Sequence, residues 1–471
     1  MAKAELTSRA NRTLSDIDRQ SFLHPFSSIA DQKVKGAHVL ARGSGATVTG
    51  ADGRRFLDGA SGLWCVNVGH GQESIIEAMT RQARELAFFH NFNGSATESV
   101  IRLADKIIDL APDNIARVFF GNSGSDANDT NIKLIWLYNN LLGRPQKKKI
   151  IARRRGYHGV TVAAGSCTGL ANVHARFDLP IPGIFHVSEA DCYHNVDVGD
   201  ENSEAQYLSK LLSELEDLIE REGPETIAAF IAEPVMGTGG VLIPPTDYFP
   251  QVKRLLDKHD ILLVLDEVIS AFGRLGDWFG ADRFGVEADL ITTAKGLTSG
   301  YVPMSASLIG EKIWNVFDEA ADELGALGHG FTYSGHPVAA AAALANLELI
   351  ETHNLVDAAR IQGDRMLRTL QSSIAGHPLV GDVRGAGLMI GVELVADKCS
   401  RRNFEPALGV AKRVQLACLE HGLLARALPT NDVLGFSPPF IVSDAEIDEM
   451  TEALKQGLDI VASDLVAEGA L

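Results

Sequence analysis

The chain has 471 residues, of which 45% are apolar and 22% charged, with a formal net charge of −18. That length predicts two domains of an ordinary soluble protein, and the acidic balance excludes a nucleic-acid or anionic-membrane surface. The five cysteines (Cys65, Cys167, Cys192, Cys399, Cys418) form no CxxC or metal-like spacing, so no metal site and no disulfide framework are expected, as fits a reducing compartment.

Residues 1–30 read as an arm with a short helical piece ending at His24-Pro25. The arm has no apolar signal core and no stretch approaches membrane-spanning length, so a cytoplasmic location is expected. His38–Leu57 alternates around glycines and the turn Ala51-Asp52-Gly53, which is hairpin chemistry. A glycine-rich irregular segment, Asp58–Gly71, follows, and helical periodicity runs over Glu73–Leu86 and Thr97–Leu110.

From Arg117 onward strands and helices alternate. The predicted strands are Arg117–Phe120, Lys149–Arg153, Ile227–Ala232, Ile261–Val268, Asp289–Thr293 and Ser305–Ile309. Helices are predicted over Asp126–Leu142, Tyr207–Arg221 and Phe249–His259. This alternation implies an α/β fold with a mostly parallel, helix-covered sheet. After Pro337 come two long helices (Val338–Glu351, Leu355–Ile374) and a glycine-punctuated strand region (Gly381–Leu394). A helix (Leu408–His421) and short strands (Leu423–Ala427, Val433–Ser437) complete a smaller α+β domain. The expected division is 1–60 as arm and hairpin joining the small domain, 61–336 as the large domain, and 337–471 as the small one.

Two residues organise the large domain. The run ILLVLDEV is almost wholly apolar and ends in Asp266 and Glu267. A carboxylate at the end of a buried strand costs desolvation unless a cation or donor meets it. DLITTAKGL repeats the pattern with Lys295. Ligands of open α/β sheets sit outside the carboxyl ends of the strands, so both side chains are expected in that crevice. A buried lysine loses proton affinity and becomes a nucleophile able to form a Schiff base. An aspartate facing a pyridinium nitrogen keeps such a ring protonated and an effective electron sink. Alone, Asp266 reads more readily as a helix cap and Lys295 as a solvated loop lysine; together, in this order and context, the crevice reading is preferred.

Four further motifs sit at strand ends. In VFFGNSGSDANDTNIKL small residues lead into a helix opened by Asp126, a geometry that turns backbone N–H groups and the positive helix end toward an anion. It is not a P-loop, since Gly-Lys-Ser/Thr is absent. RRRGYHG holds Tyr157 and His158 between glycines, where an aromatic can stack on a flat ring. IAAFIAEP ends in Glu233, which orients a cofactor or caps a turn. GHGFTYSGHP places Thr332 ahead of a helix, as a phosphate donor or a plain cap. VRGAGLMIG has the wrong spacing and place for a dinucleotide site.

With GNSGSDAND, GYHG, LDEV, AKGL and GFTYSGHP in this order, the chain resembles the class III (omega-type) aminotransferases of the fold-type I family, from about Ser21 to the end. It is most similar to the amine– and beta-alanine–pyruvate transaminases. The resemblance implies a large domain with a seven-stranded-type, mostly parallel sheet, and pyridoxal 5′-phosphate as cofactor. Lys295 would form the Schiff base and then shuttle the proton between substrate Cα and cofactor C4′. Asp266 would pair with the pyridine nitrogen, and Val268 would pack on the ring face opposite a stacking Tyr157, with His158 beside it. Ser123, Gly124 and Ser125 would cradle the phosphate, Glu233 would lie near the ring's 3′-oxygen, and Thr332 would reach the phosphate from a partner subunit. Trp64, Phe92 (from the partner chain), Tyr157 and Arg426 match substrate positions, with Arg426 gripping a carboxylate or swinging away. Where several relatives carry an aromatic pair and then an arginine, this chain has Phe92-Asn93 and Ser95.

These expectations amount to ping-pong transamination from a primary amine or omega-amino acid to a keto acid, with pyruvate the expected acceptor. The assembly would be a homodimer with the site at its interface, with pairing into tetramers left open. Other chemistry on the same scaffold (a biotin-pathway aminotransferase, an aminomutase, a decarboxylase) stays open, as does a binding protein without turnover.

Overall fold

The computed structural model describes residues 13–197 and 199–471; the first twelve residues of the expected arm lie outside the described residues. Strands β1 (Leu40–Ser44), β2 (Thr47–Gly50) and β3 (Arg55–Asp58) form an antiparallel meander. Strand β3 then pairs in parallel with a distant two-residue strand, Leu423–Leu424. The N-terminal hairpin is thereby stitched to the C-terminal part of the chain.

The central sheet has seven strands: β4 (Ile115–Gly121), β5 (Lys149–Arg153), β6 (Ile184–Val187), β7 (Ile227–Ala232), β8 (Leu262–Asp266), β9 (Leu290–Thr293) and β10 (Ser305–Gly310). Their spatial order is β4-β10-β9-β8-β7-β5-β6. Strand β10 runs antiparallel to both neighbours, and β9, β8, β7, β5 and β6 pair in parallel. Every residue of β7 and β8 is buried, which is why both read as unbroken apolar runs rather than alternating ones. Because β10 reverses twice, β4 points the same way as β9, and the carboxyl ends of six strands share one edge.

Helix Gly124–Leu141 packs across the sheet from this edge. It starts where it does because Ser123 and Asp126 form a capping box: Ser123 Oγ accepts from Asp126 N, and the Asp126 carboxylate accepts from Ser123 N. A third sheet holds β11 (Val380–Ala386), β12 (Met389–Leu394), β15 (Val433–Phe436) and β14 (Arg426–Ala427), all antiparallel; Leu423–Leu424 is β13.

Three differences from the sequence reading have physical causes. Strand β8 ends at Asp266 rather than Val268, because Val268 N turns back to donate to Asp266 Oδ1 at 3.2 Å. Edge strand β6 was not expected; it is four residues long and only its last residue, Val187, is fully buried, so it carries no strong apolar run. Helix Asp444–Ala467 was also unexpected. It opens with a Ser443–Glu446 capping box and buries Ile447, Met450, Leu454, Leu458, Val461 and Leu465, a helical stripe. Among the described residues no helix is long and apolar enough to cross a membrane.

Candidate active site

The shared carboxyl edge gathers side chains from five strand ends. Asn122, Ser123, Gly124 and Ser125 follow β4, Tyr157 and His158 follow β5, Glu233 follows β7, Asp266 ends β8 with Val268 just beyond it, and Lys295 follows β9. All line one cavity of about 350 Å³, together with Cys65.

Asp266 is 4% exposed and held by two side-chain donors. Its Oδ2 accepts from Asn128 Nδ2 at 2.8 Å and faces His158 Nδ1 at 2.8 Å. A carboxylate oxygen only accepts, so the imidazole carries its proton on Nδ1. Asn128 is fixed in turn: Thr292 Oγ1 donates to its Oδ1 at 2.6 Å, and Asn131 Nδ2 donates to that hydroxyl at 2.7 Å. Two donors thus fix the orientation of the Asp266 carboxylate toward the cavity.

Lys295 itself takes a strained backbone, with φ of 37°. Its amine is buried, and burial depresses its pKa below the ordinary lysine range; Cys65 and Asp266 oppose that shift only in part. A larger share of neutral, nucleophilic amine follows. Glu233 accepts from Tyr157 N at 2.9 Å and Gly237 N at 2.8 Å, and burial raises its pKa. It therefore fixes the backbone that carries Tyr157.

The start of helix Gly124–Leu141 is ready for an anion. The Asp126 carboxylate takes the N–H groups of Asn122 (2.9 Å) and Ser123 (3.0 Å). As the first two helical positions, Gly124 and Ser125 have N–H groups with no intrahelical acceptor. A Cβ at Gly124 would lie 2.8 Å from Val268 Cγ2, so only glycine lets cradle and cavity floor meet. Gly159, at φ 132°, would likewise drive a Cβ to 2.5 Å from Ser125 Oγ.

The remaining predicted residues sit elsewhere. Trp64 is 1% exposed and lies off the cavity wall, packed against Gly435 with Arg426 over its ring at 5.9 Å. Arg426 is on β14 at the sheet edge, its pKa lowered by burial. Phe92 and Thr332 do not line the cavity; they belong to a separate exposed unit, where a Cβ at Gly330 would meet Phe92 Cε1 at 2.8 Å. Sequence reasoning missed Asn128, Thr292 and Asn131, which are polar residues inside otherwise regular elements. It also missed Cys65, and Phe26, whose ring stands 6.4 Å from that of Tyr157.

This arrangement fits pyridoxal phosphate. The phosphate would meet the free N–H groups of Gly124 and Ser125, the pyridine nitrogen the charged Asp266, and the aldehyde the depressed amine of Lys295. The buried His158 Nε2 has no partner among the described residues, which leaves the polarity of that corner to be met from the cavity.

The model of the class-III aminotransferases matches residues 29–458. The chain is 42% identical over 463 residues to the diaminobutyrate–2-oxoglutarate transaminase of Halomonas elongata, covering 98% of this chain and 99% of that one. It is 39% identical over 464 residues to the putrescine–pyruvate aminotransferase of Pseudomonas aeruginosa, covering 98% and 100%. The crystal structure of the omega transaminase from Pseudomonas jessenii in complex with PMP superposes with a TM-score of 0.93 at 41% identity, over 96% of this chain and 99% of that one. With this match over nearly its whole length, the chain belongs to the class-III aminotransferases, pyridoxal phosphate enzymes that move an amino group between an amine and a keto acid.

Proposed function

We propose that this aminotransferase takes its amino group from a primary amine or omega-amino acid and passes it to pyruvate, in two half-reactions at one site. The observation that carries this reading is one cavity in which a buried amine, a carboxylate oriented by Asn128 and His158, and an anion-binding helix start converge. Bound pyridoxal phosphate supplies an electron sink for the charge left when a C–H bond beside nitrogen breaks. Lys295 Nζ, its proton affinity lowered by burial, would anchor the cofactor and would take the proton from the donor carbon. Asp266, oriented by Asn128 and His158, holds the proton on the pyridine nitrogen. Tyr157 and Val268 confine the ring, and the N–H groups of Gly124 and Ser125 hold the phosphate.

Arg426 would grip the acceptor's carboxylate. Among the described residues, the other buried guanidinium near Cys65, Arg274, is committed to Leu388 O, Pro438 O and Asn67 Oδ1. One uncommitted arginine suits a keto acid with one carboxylate, which favours pyruvate over a dicarboxylate. Replacing Arg426 by leucine is expected to raise the KM for pyruvate about 10- to 100-fold, the worth of a charged hydrogen-bonded pair. The amine half-reaction should change far less, and stopped-flow separation of the halves checks it.

The proposal includes a homodimer in which Thr332 and Phe92 of the partner subunit complete each site, supported by the exposure of the loops that carry them. It also includes the division into arm and hairpin (1–60), large domain (61–336) and small domain (337–471), supported by the three sheets.

The direct test is the absorbance of the purified protein with a panel of amines, then pyruvate. A yellow band that an amine bleaches and pyruvate restores is the expected result. A yellow protein that no amine bleaches would point to decarboxylase or aminomutase chemistry instead. Restoration by 2-oxoglutarate but not pyruvate would overturn the acceptor.

A further inference from the structure

The segment around Thr332 is tied to helix Gly124–Leu141 through a histidine. His329 Nε2 lies 2.9 Å from Thr130 Oγ1, and His329 Nδ1 lies 2.8 Å from Lys133 Nζ. Thr130 Oγ1 already donates to Asp126 O at 2.8 Å, so toward His329 it accepts, and the ring proton is on Nε2. Nδ1 is then free to accept from the Lys133 ammonium. The ring stacks on Phe119 of β4 at 5.2 Å with an interplanar angle of 12°. The charged groups facing it, Lys133 and Asp126, both come from helix Gly124–Leu141. Burial and Lys133 lower its pKa against the opposing pull of Asp126, in keeping with the neutral ring that this bonding requires.

What His329 holds is a unit rather than a strand of loose loop. Phe331 N donates to Ser334 Oγ at 3.0 Å, and Asn91 Nδ2 donates to Ser334 O at 2.8 Å and Gly335 O at 3.0 Å. Phe92 and Thr332, the two residues proposed to serve the partner's site, therefore share one scaffold. That scaffold is pinned to the helix whose first turn cradles the phosphate of its own site. We infer that His329 is a positioning residue: it locks the Thr332 loop onto the cradle helix, so that the cofactor affinity of each site depends on a histidine of the other subunit. The inference rests on the proposed reach of Thr332 to the partner's phosphate.

The test is a double-mutant cycle read as the dissociation constant of pyridoxal phosphate from the holoenzyme, measured spectroscopically, with turnover not required. His329→Phe keeps the stack on Phe119 and removes both hydrogen bonds; Thr332→Ala removes the hydroxyl it is held to aim. Thr332→Ala is expected to weaken cofactor binding about tenfold, as for one charge-assisted hydrogen bond. His329→Phe should weaken it several-fold, and the double variant should be no weaker than Thr332→Ala alone, because one residue acts through the other. His329→Gln, which keeps a donor toward Thr130, should recover part of the loss. Should His329→Phe fail to fold, the exposed Lys133→Met cuts the same anchor and is expected to cost about twofold to threefold.

An unchanged constant for Thr332→Ala would remove the reading of Thr332 and this inference with it. A loss for Thr332→Ala with none for His329→Phe or Lys133→Met, or additive losses in the double variant, would overturn the role of His329 alone.

Discussion

Lys295→Ala is expected to end multiple turnover, a loss of about 10⁴-fold or more, while the chain stays folded. Two functions vanish together: the covalent anchor and the general base. Base catalysis alone is worth about 10²–10⁴-fold. The fold should survive because Lys295 contributes little to it. Its amine is desolvated, so its charged form is disfavoured where it sits. Truncation removes that penalty and enlarges a cavity that already exists. A melting temperature within a few degrees of the parent, beside absent steady-state turnover, is the predicted pair of results. Persistent multiple turnover in the variant would sink the role proposed for Lys295.

Asp266→Asn should lower kcat by about 10²–10³-fold, the scale on which a preorganised electrostatic partner acts in a water-poor site. The substitution keeps the shape of the side chain and an oxygen for Asn128 and His158, while its amide nitrogen replaces the oxygen that accepts from Val268 N. The charge that would hold a proton on the pyridine nitrogen is lost. The effect should appear in both half-reactions, since both pass charge through the ring, and cofactor retention should suffer far less. Single-turnover rates with an amine, and separately with pyruvate, check this. A drop confined to one half-reaction would instead place Asp266 on the substrate side.

The two variants probe what was most legible in the chain. Lys295, Asp266 and Glu233 stand at the ends of apolar runs, and a buried parallel sheet delivers every such end to one edge. Local pattern therefore implied a common crevice, before any distance was known. The cradle at Ser123–Ser125 was legible for the same reason, because a capping box marks where a helix begins. Helix Asp444–Ala467 carried an equally clear signal, a capping box and a helical stripe, and went unread. Strand β6 carried too weak a one.

The amino-acid sequence by itself determined the α/β alternation and the residues at the strand ends, because apolar period and capping act between near neighbours. Only the tertiary structure decided the rest. Asn128 and Thr292 are 164 positions apart, yet they hold Asp266 in one network with His158. Phe26 reaches Tyr157 from the start of the chain, Trp64 lies under Arg426, and His329 is gripped by Thr130 and Lys133 from a helix some two hundred residues earlier. Such pairings carry no periodic signature. They exist because chain segments with strong local preferences are brought together by burial of a common core, and buried polar groups must then find partners wherever the packing puts them.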